Sequence, residues 1–189
     1  MLDIEKIKLD LGNNLSKYRY EHSIRVAEEA KRLAVHYGIN EENAYIAGLV
    51  HDIAKEYDDE ENKYWVDKYN LDECLLDKNN SKICHAEIGA LVAKELYQVN
   101  DEICQAIKYH TIGNMSMNML DKIVFLADKI ESGKSYLGIE EERDLAYKNI
   151  DRSLIKCLEN TKKKLESDNR TLNVESEKLL NYLKIKNTD

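Results

Sequence analysis

Proline is absent from the 189 residues, and glycine occurs only seven times. Proline is the residue that most disrupts a helix, so its absence fits a chain built from helices. No apolar run reaches the roughly 18 residues that a membrane span needs. The N-terminal string MLDIEKIKLDLG mixes acids with bases and lacks the apolar stretch of a signal peptide. Both features point to the cytoplasm. A basic excess is also missing: 28 Lys and Arg stand against 36 Asp and Glu, a formal net charge of -8. A binder of duplex nucleic acid or of a membrane surface needs a basic face to displace counterions, so those classes are excluded. An anionic small molecule is not, because a local pocket can be positive inside an acidic protein. The four cysteines, Cys74, Cys84, Cys104 and Cys157, form no CxxC pair and show neither zinc-knuckle nor disulfide spacing. They read as reduced thiols, and Cys84, although next to His85, reads as a core residue.

What is present suits one all-α domain over residues 1–189. Hydrophobic residues make up 43% of the chain, enough for a core, and charged residues make up 34%, a solvated coat. Apolar periodicity predicts helices over Asp3–Leu11 and from about Tyr18 to Tyr37, where Val26, Ala30, Leu33 and Tyr37 form one stripe. Gly38 reads as the left-handed stop of the second. A third helix begins after Asn40 and runs into His51-Asp52. A weak helix follows around Glu60–Tyr69, then a loop from Asp72 to Lys82. Further helices are expected from His85 to Leu96, from an Asn100 cap to His110, and from Asn118 to Glu131. One long helix is expected from Glu140 to Leu165, and a short one from Val174 to Leu183.

Five histidines occur: His22, His36, His51, His85 and His110. Asp128, in FLADKIE, is flanked by Phe125, Leu126 and Ala127, and Asp52 lies between His51 and Ile53. A carboxylate so close to a core face is costly unless it is partnered. A metal is one such partner, and mixed imidazole and carboxylate ligands suit iron, manganese, cobalt or zinc. Taken singly, each residue has an ordinary reading as a core histidine, a cap or an ion-pair partner.

The ordered set His22, His51-Asp52, His85, His110, Asp128 resembles the HD superfamily of metal-dependent phosphohydrolases. The strings RYEHSIRVA, AGLVHDIAKE, ICHAEIGA, AIKYHTIGNMSM and LDKIVFLADKIE are similar to its YqeK group of symmetrical diadenosine tetraphosphate hydrolases. The resemblance covers about residues 18 to 173. It implies a helical bundle around a metal centre of one or two divalent ions, with iron expected. His22, His51, Asp52 and Asp128 would hold the first metal. Asp52 would bridge to a second, held by His85 and His110; with one metal bound, those two would touch phosphate instead. His36 matches no ligand position and reads as surface or capping.

The same resemblance gives Lys55 a catalytic role, with its ammonium on a phosphate oxygen three residues beyond Asp52. Thr111 would donate its hydroxyl to phosphate, while Arg19 and Arg25 read mainly as surface ion pairs. The group usually continues after the glutamate with a proline and a nearby arginine. Here the string is IESGKSYLGIEEERD, with Lys134 in place of the arginine. ESDNRTLN resembles the group's closing motif and offers Arg170, Thr171 and Asn173 to the nucleotide. The implied reaction is hydrolysis of the tetraphosphate bridge in its middle by a metal-activated water, releasing two ADP. The rival readings are another HD activity, on a nucleoside monophosphate or a cyclic nucleotide, and a non-catalytic nucleotide sensor. A homodimer is left open.

Overall fold

The computed structural model describes residues 2–187, and among these there are ten α-helices, two short 3-10 turns and no strand. α1 is Ile4–Asn14, α2 Lys17–Tyr37, α3 Glu41–Val50, α4 Asp59–Lys68 and α5 Ser81–Tyr97. α6 is Asp101–Tyr109, α7 Met119–Ile130, α8 Ile139–Lys148, α9 Ile150–Ser167 and α10 Val174–Lys186. Side-chain caps open most of them: Asp3, Ser16, Asn40, Asp58, Asn100, Asn118, Asn149 and Asn173 each accept a backbone N–H from the first turn. Gly38 ends α2 at φ +67°, the left-handed conformation that glycine adopts without strain.

α7 occupies the centre. Its buried residues, Leu120, Ile123, Val124, Phe125, Leu126, Ala127 and Ile130, surround nearly the whole helix, as expected where neighbours pack on every side. α2, α3 and α6 pack against it, with α5 beyond α6, and α9 and α8 cover another side, with α10 packed on α9. α2 and α3 share the largest helix–helix contact, and Gly48 explains how they approach so closely. A Cβ at Gly48 would sit 2.9 Å from the Cα of Ala27 and 3.0 Å from its amide nitrogen. This crossing lays α2 against the C-terminal end of α3, and just beyond it the rings of His22 and His51 meet with centroids 5.2 Å apart.

Besides helix ends that shift by a few residues, four features differ from the sequence expectation. α3 stops at Val50, so His51 and Asp52 open a run of turns closed by hydrogen bonds from Ile53 to Val50 and from Lys55 to Asp52. The segment 72–82 is not simply a loop, since it holds the 3-10 turns Glu73–Leu76 and Lys78–Asn80. α5 starts at Ser81, a turn before His85. The expected long helix is two: Asn149 leaves helical geometry (φ -160°, ψ 104°), ends α8 and caps α9 through Arg152.

Candidate metal centre

Five elements deliver the six expected residues to one buried place. His22 comes from the second turn of α2, His51 and Asp52 from the end of α3, His85 from the second turn of α5, His110 from the end of α6, and Asp128 from α7. His51 is fully buried and Asp52 is 3% exposed. The two carboxylate oxygens of Asp52 divide the site. Oδ2 faces the first pair, with His51 Nε2 at 3.4 Å and His22 Nε2 at 3.9 Å. Oδ1 faces the second, with His85 Nε2 at 3.3 Å and His110 Nε2 at 3.5 Å. Asp128 closes the first half: its Oδ1 is 3.0 Å from His22 Nε2 and 3.9 Å from His51 Nε2.

The tautomers follow from what each Nδ1 touches. A backbone carbonyl only accepts, so an imidazole nitrogen beside one must carry the hydrogen. His51 Nδ1 donates to Gly48 O at 2.7 Å, His85 Nδ1 to Ser81 O at 2.8 Å, and His110 Nδ1 to Ile107 O at 2.5 Å. His22 Nδ1 meets the Glu131 carboxylate at 3.2 Å and donates there. In the neutral rings every Nε2 is then a bare lone pair. The Nε2 atoms of His22 and His51 are buried without a hydrogen-bond partner, and those of His85 and His110 face each other at 3.4 Å. Four lone pairs and three carboxylate oxygens therefore converge, and the side-chain donors within hydrogen-bond reach, Arg19 at Asp52 Oδ2 and Lys55 at His85 Nε2, are fewer than the acceptors. Mutual repulsion makes that arrangement unfavourable unless positive charge enters it, and a divalent cation in each half fits the donor set.

Electrostatics around Asp52 favour positive charge beside it. Burial opposes ionisation of Asp52, but the neighbouring imidazoles, His51 first, hold its carboxyl far below the usual range. Burial and the surrounding histidines lower His110 to about 4, although the Asp52 carboxylate, an acceptor for the charged ring, pulls the other way, so it is neutral near pH 7, as a ligand must be. Burial also disfavours the charged form of His51, yet Asp52 beside it raises its pKa.

Cations ring the cluster. Lys55 Nζ lies 3.3 Å from both ring nitrogens of His85, and burial lowers its pKa while Asp52 opposes that shift. Lys129 pairs with Asp128 Oδ2 at 2.5 Å, and Lys134 Nζ stands 3.9 Å from Asp128 Oδ1. Thr111 holds a buried hydroxyl with no protein partner. Arg170 and Thr171 are exposed between α9 and α10. The Arg170 charge is felt at Lys82, whose pKa is lowered by burial and then by Lys129, Arg170 and Lys164. Asn173, expected at the nucleotide, instead spends its side chain on the Glu175 amide as the cap of α10. His36 is exposed and stacks edge-on with Tyr37 and Tyr147, away from the cluster.

Three residues at the site carry more than the sequence suggested. Arg19 is no surface ion pair, since its Nη1 donates to Asp52 Oδ2 at 2.6 Å. Arg25 donates to Glu131 Oε2 at 2.6 Å and so steadies the carboxylate that orients His22. Glu131 sits at the end of the ADKIE string, and nothing local marks it, because its partner His22 lies 109 residues away. Arg143 holds the divergent loop after Glu131 by donating to the carbonyls of Ile130, Glu131 and Lys134.

The HD domain model matches residues 19–133, a span that contains all six clustered residues. The chain belongs to the HD domain family. Among curated relatives of this HD domain, the symmetrical bis(5'-nucleosyl)-tetraphosphatase of Staphylococcus aureus is 37% identical over 85% of this chain and 84% of its own length. The enzyme of the same name from Bacillus subtilis is 36% identical over 78% of this chain and 79% of its own. A crystal structure from Clostridium acetobutylicum, described as a predicted HD superfamily hydrolase involved in NAD metabolism, superposes with a TM-score of 0.90. It is 33% identical and covers 98% of this chain and 99% of that one. Among the described residues, no helix of the HD domain is long and apolar enough to cross a membrane.

Proposed function

We propose that this protein is a metal-dependent phosphohydrolase that cleaves diadenosine tetraphosphate symmetrically into two ADP. The observation that carries the proposal is the pair of donor sets sharing Asp52, His22–His51–Asp52 and Asp52–His85–His110. It occurs in a chain that is 37% identical, over most of its length, to a symmetrical bis(5'-nucleosyl)-tetraphosphatase. In this reading His22, His51, Asp52 and Asp128 hold one divalent ion, and Asp52, His85 and His110 hold a second, with iron expected in both. Such ions supply Lewis acidity and a water acidified toward neutrality.

The chain's own groups prepare the place for the tetraphosphate. Lys55 on the His85 side and Lys129 and Lys134 on the Asp128 side set positive charge at both edges of the cluster. That charge favours the growing negative charge of the phosphoryl oxygens in a site from which water is largely excluded. Arg19 keeps a buried Nε without a protein partner, and the Thr111 hydroxyl is equally free. With substrate bound, each would offer this donor to a phosphate oxygen. Lys134 binds as a point charge, without the bidentate fork of the arginine it stands in for. No side-chain nucleophile is needed.

The test is product analysis with the purified, metal-analysed protein. Diadenosine tetraphosphate should yield ADP alone, and ATP with AMP would refute symmetrical cleavage. Turnover confined to nucleoside monophosphates or cyclic nucleotides in the same panel would move the assignment elsewhere in the family. The metal analysis separates iron from manganese, cobalt or zinc.

A further inference from the structure

Two cavities open beside the candidate metal centre, and they share no lining residue. The first, about 810 Å³, is bounded at its inner end by Lys55 and His85, so it abuts the half of the centre formed by Asp52, His85 and His110. The second, about 470 Å³, is bounded by Lys129 and Lys134, both near Asp128, so it abuts the other half. Both volumes lie in the range of about 300–1,000 Å³ typical of small-ligand sites.

Their chemistry repeats. Each has lysine at the end nearest the metal ligands, a tyrosine wall further out and a side-chain amide beside it. In the first these are Tyr57 and Tyr64 with Asn62; in the second, Tyr136 with Asn160. The first also carries the carboxylates of Asp59 and of Asp67, the latter paired with Lys63, and in the second the buried Glu142 accepts from Tyr136, Cys157 and Asn160 and so fixes the tyrosine and the amide in place. Carboxylates this far out would repel phosphate. Together with amides and aromatic faces they suit a neutral, flat group with N–H and O–H donors, which is the chemistry of a nucleoside.

We infer that the two cavities are separate nucleoside sites, one for each end of a dinucleoside polyphosphate whose phosphates run across the metal centre between them. The inference rests on the proposed reaction and adds where the two halves of the substrate lie. It gives a physical reason for cleavage in the middle. A ligand anchored at both ends holds its central phosphates over the cluster, whereas one anchored at a single end leaves the register free.

The experiment is calorimetric titration of the metal-loaded protein with ADP, alongside steady-state kinetics on diadenosine tetraphosphate. Wild type should bind two ADP per chain. Leu76→Trp, which fills the first cavity, and Thr161→Trp, which fills the second, should each leave one. In each variant KM for diadenosine tetraphosphate should rise about tenfold, the loss expected for one base–aromatic contact, with a smaller fall in kcat. Tyr64→Ala and Leu137→Ala alter exposed positions at the two mouths, where folding is not at stake. They should shift the same two parameters in the same direction by smaller factors. Turnover of diadenosine tetraphosphate with one ADP per chain, or with KM unmoved in the variants of either cavity, overturns this inference and leaves the reaction standing. No turnover of that substrate overturns the reaction and this inference with it.

Discussion

Replacing Glu131 with glutamine should loosen the metal although no ligand is touched. Glu131 is 2% exposed, and its two oxygens do different work. Oε2 accepts from Arg25 Nε at 2.6 Å and from the Gly133 amide at 2.5 Å, while Oε1 accepts from His22 Nδ1 at 3.2 Å. Burial opposes ionisation of the carboxyl, but these three donors, the Gly133 amide first, hold its pKa below the ordinary value, so it is charged near pH 7. An amide at this position has only one acceptor. Two donors claim it on the Oε2 side, so the new NH2 turns toward His22. It then faces an N–H, and His22 relieves the clash only by moving its hydrogen to Nε2, the nitrogen meant for the metal. The loss is that of a charge-assisted hydrogen bond, about 1.5–3 kcal/mol. That equals roughly one to two decades in affinity, the range seen when partners of metal-bound histidines are changed. Competition against a chromophoric chelator measures it directly, with kcat at saturating metal as the companion reading. A Glu131→Gln protein that holds its metal within twofold of wild type would show that the Glu131 carboxylate does not set the His22 tautomer.

Three further outcomes are expected. His110→Ala should remove one half of the centre and Asp52→Ala both, so metal content should fall by about half in the first and to background in the second; equal losses would argue against Asp52 as the shared ligand. Gly48→Ala should destabilise the fold by about 1–3 kcal/mol through overpacking against Ala27, and an unchanged thermal midpoint would mean that α2 and α3 part at no cost. Asp151 is paired with Lys122 and Lys186, and although burial opposes it, these partners lower its pKa. Its contribution is therefore present above the unfolded carboxyl pKa and lost as pH falls through the folded value. The gap in thermal midpoint between wild type and Asp151→Asn should be largest near pH 7 and shrink on acidification; a gap that widens in acid would reverse the sign.

Much of the helical layout was legible because caps and stripes are local. Ser16, Asn40 and Asn100 stand directly before apolar periods, and Gly38 directly after one. The break at Asn149 escaped notice for a physical reason. Ala146, Ile150 and Leu154 are all buried and four residues apart, so the apolar period runs across the break without a change of phase. Nothing in the pattern records that Asn149 has left the helix. The residues around the metal ligands were hidden differently. Arg19 and Arg25 share a helix with His22, and only the fold tells that their carboxylate partners, Asp52 and Glu131, lie across the bundle.

The ligand set shows the same divide between local and distant causes. His51 and His110 are the residues that end α3 and α6, where the last carbonyls of a helix lack an amide partner. Each donates Nδ1–H to a carbonyl three residues back, and His85 does the same to one four residues back. For each of the three the tautomer is fixed within its own helix segment, and for His51 and His110 the choice is readable once the helix end is known. His22 has no such aid. It sits in the second turn of α2, and its Nδ1 takes no carbonyl of its own helix but the Glu131 carboxylate instead. Glu131, 109 residues on, is that acceptor, and Arg25 one turn along α2 holds it in place. Three ligands are therefore set by their own helices and the fourth by tertiary structure. This is why a change at Glu131 should reach the metal, and why a loosened packing of α7 on α2 should be felt first at His22.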